Sequence, residues 1–193
     1  MRLKVPLTVA TLAIAVMAHA ADSGSAASAV SVYNKAGLAM RDRPDPPHGW
    51  HRPTPDELSG EPLRKNHPTQ YIEAEADFDG DGKEDHAALF TADDGKSEAV
   101  FVKLSSHKPQ EWMIAASMVH SRPSMNVGMG ISVEAPGVKK TACGKGYWNC
   151  KTGEPSELNL KQPAISFFRF ESSGSIVYWD KTKRQFLQVW TSD

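Results

Sequence analysis

From residue 69 onward the chain is written in short runs with a period of two, broken at close intervals by turn residues. In "TQYIEAEAD", Tyr71, Glu73 and Glu75 alternate with Ile72, Ala74 and Ala76. Successive side chains on a strand point to opposite faces, so such a run offers one apolar and one polar surface. "HAALFTA" and "SEAVFVKL" flank Asp93-Asp94-Gly95-Lys96, a hairpin signature. "MGISVEA", "KKTAC", "AISFFRFE", "SIVYWD" and "RQFLQVW" continue the pattern, separated by Pro136-Gly137, Gly153, Pro155, Ser173-Gly174 and Lys181–Lys183. "EWMIAASMV" fits strand or helix on periodicity alone. Many short strands joined by turns predict a mainly β fold, an antiparallel sheet sandwich or flattened barrel. No other segment repeats the aspartate-rich run at 77–85, which argues against a propeller.

The chain before residue 69 has a different texture. Residues 1–20 carry Arg2 and Lys4, an apolar run from Val5 to Met17, and Ala18-His19-Ala20. That order is a secretory signal peptide cleaved after about Ala20, too short in its apolar part to span a bilayer. Residues 21–68 hold Pro44, Pro46, Pro47, Pro53, Pro55 and Pro62 and read as an irregular Pro-rich N-terminal arm. Within it "TPDELSGEP" predicts one helical turn, capped by Thr54 with Glu57 and stopped by Gly60. The domain division expected is therefore 1–20, 21–68 and 69–193.

Export implies the periplasm. Losing the leader removes two basic residues and no acidic one, taking the formal net charge from −1 to −3. A weakly acidic chain gives no reason to expect nucleic acid or membrane insertion. In an oxidising compartment the two cysteines, Cys143 and Cys150, are most simply a disulfide, and Gly144 and Gly146 let the short ring close.

Asp77, Asp79, Asp81 and Asp85 fall at positions one, three, five and nine of one loop, with Gly82 at six and Lys83 at seven. Calcium takes about six to eight oxygens, and four carboxylates plus the Lys83 carbonyl supply most of them from one curved segment. The EF-hand glutamate at position twelve is replaced by Ala88, and the flanks read as strands. D-x-D-G-D-G-x-x-D between strands resembles the calcium loops of FG-GAP and VCBS-type repeats. Hard oxygen donors favour calcium over zinc. The sequence presents no second carboxylate–histidine cluster and no G-x-S-x-G, so the ion is expected to be structural and the protein not an enzyme.

The C-terminal stretch concentrates Phe167, Phe168, Phe170, Tyr178, Trp179, Phe186 and Trp190 around a polar tip, Glu171 to Ser175. With the calcium loop and the Cys pair, this layout resembles periplasmic lysozyme inhibitors and immunity proteins against lysozyme-like effectors. The resemblance implies a partner-binding loop of Ser172, Ser173, Gly174 and Ser175, with Tyr178 beside it, entering the cleft of a lysozyme-like peptidoglycan hydrolase. Tyr178 falls one residue later than in the Ser-Gly-x-x-Tyr loops of such inhibitors. A calcium-stabilised glycan- or peptidoglycan-binding module, using the aromatics as platforms, is the alternative.

Overall fold

A computed structural model describes residues 44–64, 69–109 and 111–192. The expected signal peptide, its expected cleavage point and residues 21–43 lie outside these residues. Among the described residues no helix is long and apolar enough to cross a membrane.

The elements are β1 (Trp50–His51), α1 (Pro55–Ser59), a 3-10 turn (Pro62–Arg64), β2 (Glu73–Ala76), β3 (Asp85–Ala92), β4 (Ser97–Lys103) and β5 (Met113–Val119). They continue as β6 (Met129–Glu134), β7 (Gly137–Lys140), β8 (Glu157–Leu160), β9 (Ala164–Arg169), β10 (Gly174–Asp180) and β11 (Gln185–Ser192). In the first sheet β1 and β2 both pair with β3, followed by β4 and β5; the second runs β11-β10-β9-β6. β7 and β8 form a separate hairpin. Every pairing is antiparallel and neither large sheet closes on itself, so the fold is a β sandwich and not a barrel.

The period of two decides which residues meet. Ala87 and Leu89 of β3 and Val100 and Val102 of β4 face inward, against Ile131, Ile165, Phe167, Val177 and Trp179 of the second sheet. Each large side chain buried there contributes about 1.5–3 kcal/mol. The opposite parity, Ala88, Phe90, Ala99 and Phe101, is buried too, in a cluster closed by Trp50 and Trp112. Trp50 stands edge-on to Phe101 at 5.0 Å and Phe90 edge-on to Trp112 at 5.0 Å. The hairpin of β7 and β8 does the same for the second sheet, laying Leu158 and Leu160 on Ala164 and Ile176.

Residues 44–64, read from sequence as part of the irregular arm, pack into the sandwich. Trp50 and His51 pair with Ala92 and Thr91. α1 carries the expected capping box between Thr54 and Glu57, and its Leu58 enters the main core. Gly60 ends it in a right-handed conformation, φ −69°. Its lack of a side chain serves a close approach instead, because a Cβ there would lie 2.2 Å from the Asn126 amide carbon.

Candidate functional site

The acidic loop joins β2 to β3, and its own backbone amides hold its carboxylates in place. Asp77 Oδ1 accepts from the amides of Gly80 (2.7 Å) and Asp81 (2.9 Å), and its Oδ2 from Gly82 (2.9 Å). That curl needs left-handed backbone at Gly80 (φ 73°) and Gly82 (φ 87°), which glycine adopts without strain. Asp85 Oδ2 accepts from Phe78 N (2.9 Å), and Oδ1 from Ser105 N (2.8 Å) beyond the end of β4. Ser106 Oγ donates to Asp79 Oδ2 at 2.5 Å.

One carboxylate oxygen from each of Asp77, Asp79 and Asp85 lies within 4.8 Å of the others. Asp79 and Asp85 are buried. Burial pushes the Asp85 carboxyl above its ordinary pKa, with the Asp79 charge adding to it, while amides of Ser105, Phe78 and Asp79 pull the other way. Three acids this close repel one another unless protonated or bridged by a cation. Asp81 stands outside the trio: its Oδ1 accepts from Lys83 N (2.8 Å), and Ser105 Oγ lies 3.4 Å from its Oδ2. The Lys83 ammonium is 3.8 Å from Asp81 Oδ2.

Cys143 and Cys150 are bonded to each other, as their spacing predicts. Gly144 in their loop is fixed by space, since a Cβ would sit 1.9 Å from the Ser156 carbonyl oxygen.

The Ser-Gly segment is less exposed than its composition suggests. Glu171, at φ 52°, and Ser172 make the turn between β9 and β10 and are exposed; Ser173 is half-buried. Gly174 and Ser175 are already inside β10 and buried. Ser175 Oγ donates to the Phe167 carbonyl (3.0 Å) and accepts from Gln188 Nε2 (2.9 Å), so it has no surface for a partner and its one proton is already used. The polar tip is thus Glu171 to Ser173. Tyr178 belongs elsewhere: it lies near the far end of β10, faces β8, and burial followed by the Asp180 charge raises its pKa.

Two arrangements escaped sequence reasoning because their members are far apart in the chain. Glu98, buried in β4, accepts from the amides of Gly128 (3.2 Å) and Met129 (2.9 Å) and contacts His120 Nε2 (2.9 Å). Nearby, the buried Arg64 guanidinium donates to the carbonyls of Gln70 and Met129 and lies over the Phe170 ring. The other is a groove of about 560 Å³ between β8 and the end of β10. No protein-family model, curated protein or solved structure matches this chain.

Proposed function

We propose that the chain is an exported periplasmic protein that binds and blocks a lysozyme-like peptidoglycan hydrolase, with a calcium ion as a structural clip in its acidic loop. The observation that carries the reading is the β9–β10 turn. The hydroxyls of Ser172 and Ser173 have no hydrogen-bond partner among the described residues, yet β10 beneath them is held between β9 and β11, with a register shift at Gly174–Ser175 on the β11 side. A glycosidase cleft offers two carboxyl groups, and neutral donors on a stiff support satisfy them without burying a charge. Glu171 works against this, placing a like charge at the mouth.

For the ion, the donor chemistry fits. Asp77, Asp79 and Asp85 bring three hard oxygens together, and Asp81 and the Lys83 carbonyl are the remaining candidates by position. Calcium there supplies charge neutralisation and a fixed β2–β3 connection. The loop's residues then act only as scaffold.

The test is inhibition of lysozyme-type hydrolases by the purified protein. Ser172→Glu with Ser173→Glu should weaken inhibition at least about tenfold, because close like charges cost more than 1.4 kcal/mol in a desolvated cleft. Glu171→Gln should strengthen it. An unchanged inhibition constant in the double variant removes the turn from the interface. The second reading, a calcium-stabilised glycan-binding module, is favoured by the groove beside Tyr178.

A further inference from the structure

The β7–β8 hairpin covers only part of the outer face of the second sheet. Leu158 and Leu160 lie on Ala164 and Ile176, and Tyr178 is left half-buried at the margin of that cluster. The groove begins there. Its volume of about 560 Å³ falls in the ~300–1,000 Å³ range of small-ligand sites.

Its walls divide by chemistry. Leu160 and the Tyr178 ring give an apolar side, while Asn159, Lys161, Gln162 and Lys181 give donors and positive charge. The side chains of Asn159 and Lys161 and the Tyr178 hydroxyl have no partner among the described residues. Gln162 and Lys181 are held from behind, Gln162 Nε2 donating to the Trp179 carbonyl (3.5 Å) and Lys181 Nζ to the Gly80 carbonyl (3.3 Å). Glu157 lines the rim, and the Asp180 charge also acts on Tyr178.

The segment around the groove is basic in sequence. Between residues 135 and 192 there are nine Lys and Arg against four Asp and Glu; between 69 and 134 there are five against twelve. The segment that contains the groove is therefore basic, but its Lys181 also meets the acidic loop at the Gly80 carbonyl, which leaves Lys161 as the cation for an anion.

We infer that the groove between β8 and the end of β10 is a binding site for an acidic saccharide, a sugar ring laid on Tyr178 with its carboxylate at Lys161. A pyranose ring has an apolar face for the phenol and an equatorial rim of hydroxyls for Asn159 and Gln162. The lysine distinguishes a carboxylated sugar from a neutral one. This deepens the glycan-binding reading and is independent of the β9–β10 turn, since the turn and Tyr178 are at opposite ends of β10, ~13 Å apart by strand rise.

The full chain should be titrated, by calorimetry and backbone-amide NMR, with the N-acetylglucosamine–N-acetylmuramic acid disaccharide and with its neutral counterpart, chitobiose. The acidic disaccharide should bind saturably, shift amides at 157–162 and 178–181, and bind at least about fivefold tighter than chitobiose, as one partly desolvated ion pair allows. Tyr178→Ala should weaken it roughly tenfold, as loss of a central aromatic anchor does. Lys161→Glu should abolish the preference for the acid, and Lys161→Arg should retain it. Lys161 is exposed, so its variants separate loss of binding from loss of fold even if Tyr178→Ala unfolds. Equal affinity for both sugars overturns the anion assignment. No binding of either at about 10 mM, a free energy under 3 kcal/mol, or binding indifferent to the Tyr178 and Lys161 variants, overturns the site. Ser172→Glu with Ser173→Glu should leave this binding intact, so failure here and failure of the inhibitor reading are told apart.

Discussion

Lys181 donates from Nζ to the Gly80 carbonyl at 3.3 Å, which ties the turn after β10 in one sheet to the acidic loop of the other. A Cβ on Gly80 would lie 2.6 Å from that Nζ, and Gly80 sits at φ 73°. Gly80→Ala should therefore destabilise by roughly 1–2 kcal/mol from backbone strain and displaced contact together. Urea unfolding of the single variant and of Gly80→Ala with Lys181→Ala checks this. The double variant should recover the steric part only.

Calcium should raise the melting temperature and a chelator should lower it. At ten times the dissociation constant the gain is about 1.4 kcal/mol. Asp79→Ala should abolish the response while far-ultraviolet circular dichroism stays β-rich. A melting temperature indifferent to both additions rules the clip out.

The Cys143–Cys150 bridge closes a short loop, a sequence separation of 7. The chain-entropy relation gives such a loop about 2.5 kcal/mol. Replacing both cysteines by alanine should cost that order in urea unfolding, and thiol labelling of unfolded, unreduced protein should find no free cysteine.

Removing the Glu98 carboxylate should be among the most damaging single changes. Glu98→Ala would strip two amides of their acceptor and leave the Arg64 charge buried without its neighbour. A loss of about 3–5 kcal/mol is expected. Glu98→Gln keeps one carbonyl acceptor and should cost less. Equal, small losses in both would show that the carboxylate contributes only packing.

His51 joins β1 to two other segments, Nδ1 to Asp93 (2.9 Å) and Nε2 to Glu57 (3.1 Å). Burial opposes its charge, but the hydrogen bonds to Asp93 and Glu57 outweigh that and hold its pKa above the ordinary 6.5. The folded state thus favours the proton. Its contribution is fully present below the unfolded pKa and is lost as pH rises through the raised folded value. Parent and His51→Gln should differ more in urea midpoint at about pH 5.5 than at about pH 8. A difference that does not change with pH would assign His51 to packing alone.

What the sequence made legible was whatever is local. Alternation and Asp93–Lys96 gave β3, β4 and their turn in nearly the right places, and aspartate spacing singled out Asp77, Asp79, Asp81, Lys83 and Asp85, of which Asp77, Asp79 and Asp85 bring carboxylate oxygens together. β1 was invisible because two residues have no period; it exists because Trp50 closes the Phe90 and Phe101 cluster. "KKTAC" reads as strand to Cys143, but β7 stops at Lys140, where the Thr141 hydroxyl turns to the carbonyls of Pro155 and Ser156. The polarity of Ser175 signalled exposure, whereas its hydroxyl is satisfied internally by residues that only strand register brings near. Ser105 and Ser106 were missed as supports of the acidic loop because they reach it from the far end of β4.

The burial of β3 on both faces limits how the protein can vary. Asp85 and Ala87 to Thr91 are buried, and His86 and Ala92 half-buried. No position along the strand has a solvent side on which polar replacements accumulate freely. β5, at the sheet's edge, exposes Ile114, Ser117 and Val119. A saturation scan read by soluble yield should therefore show β3 as a nearly closed block and those three β5 positions as open. Drift and engineering alike would then move through the rim of the first sheet while its middle strand stays fixed.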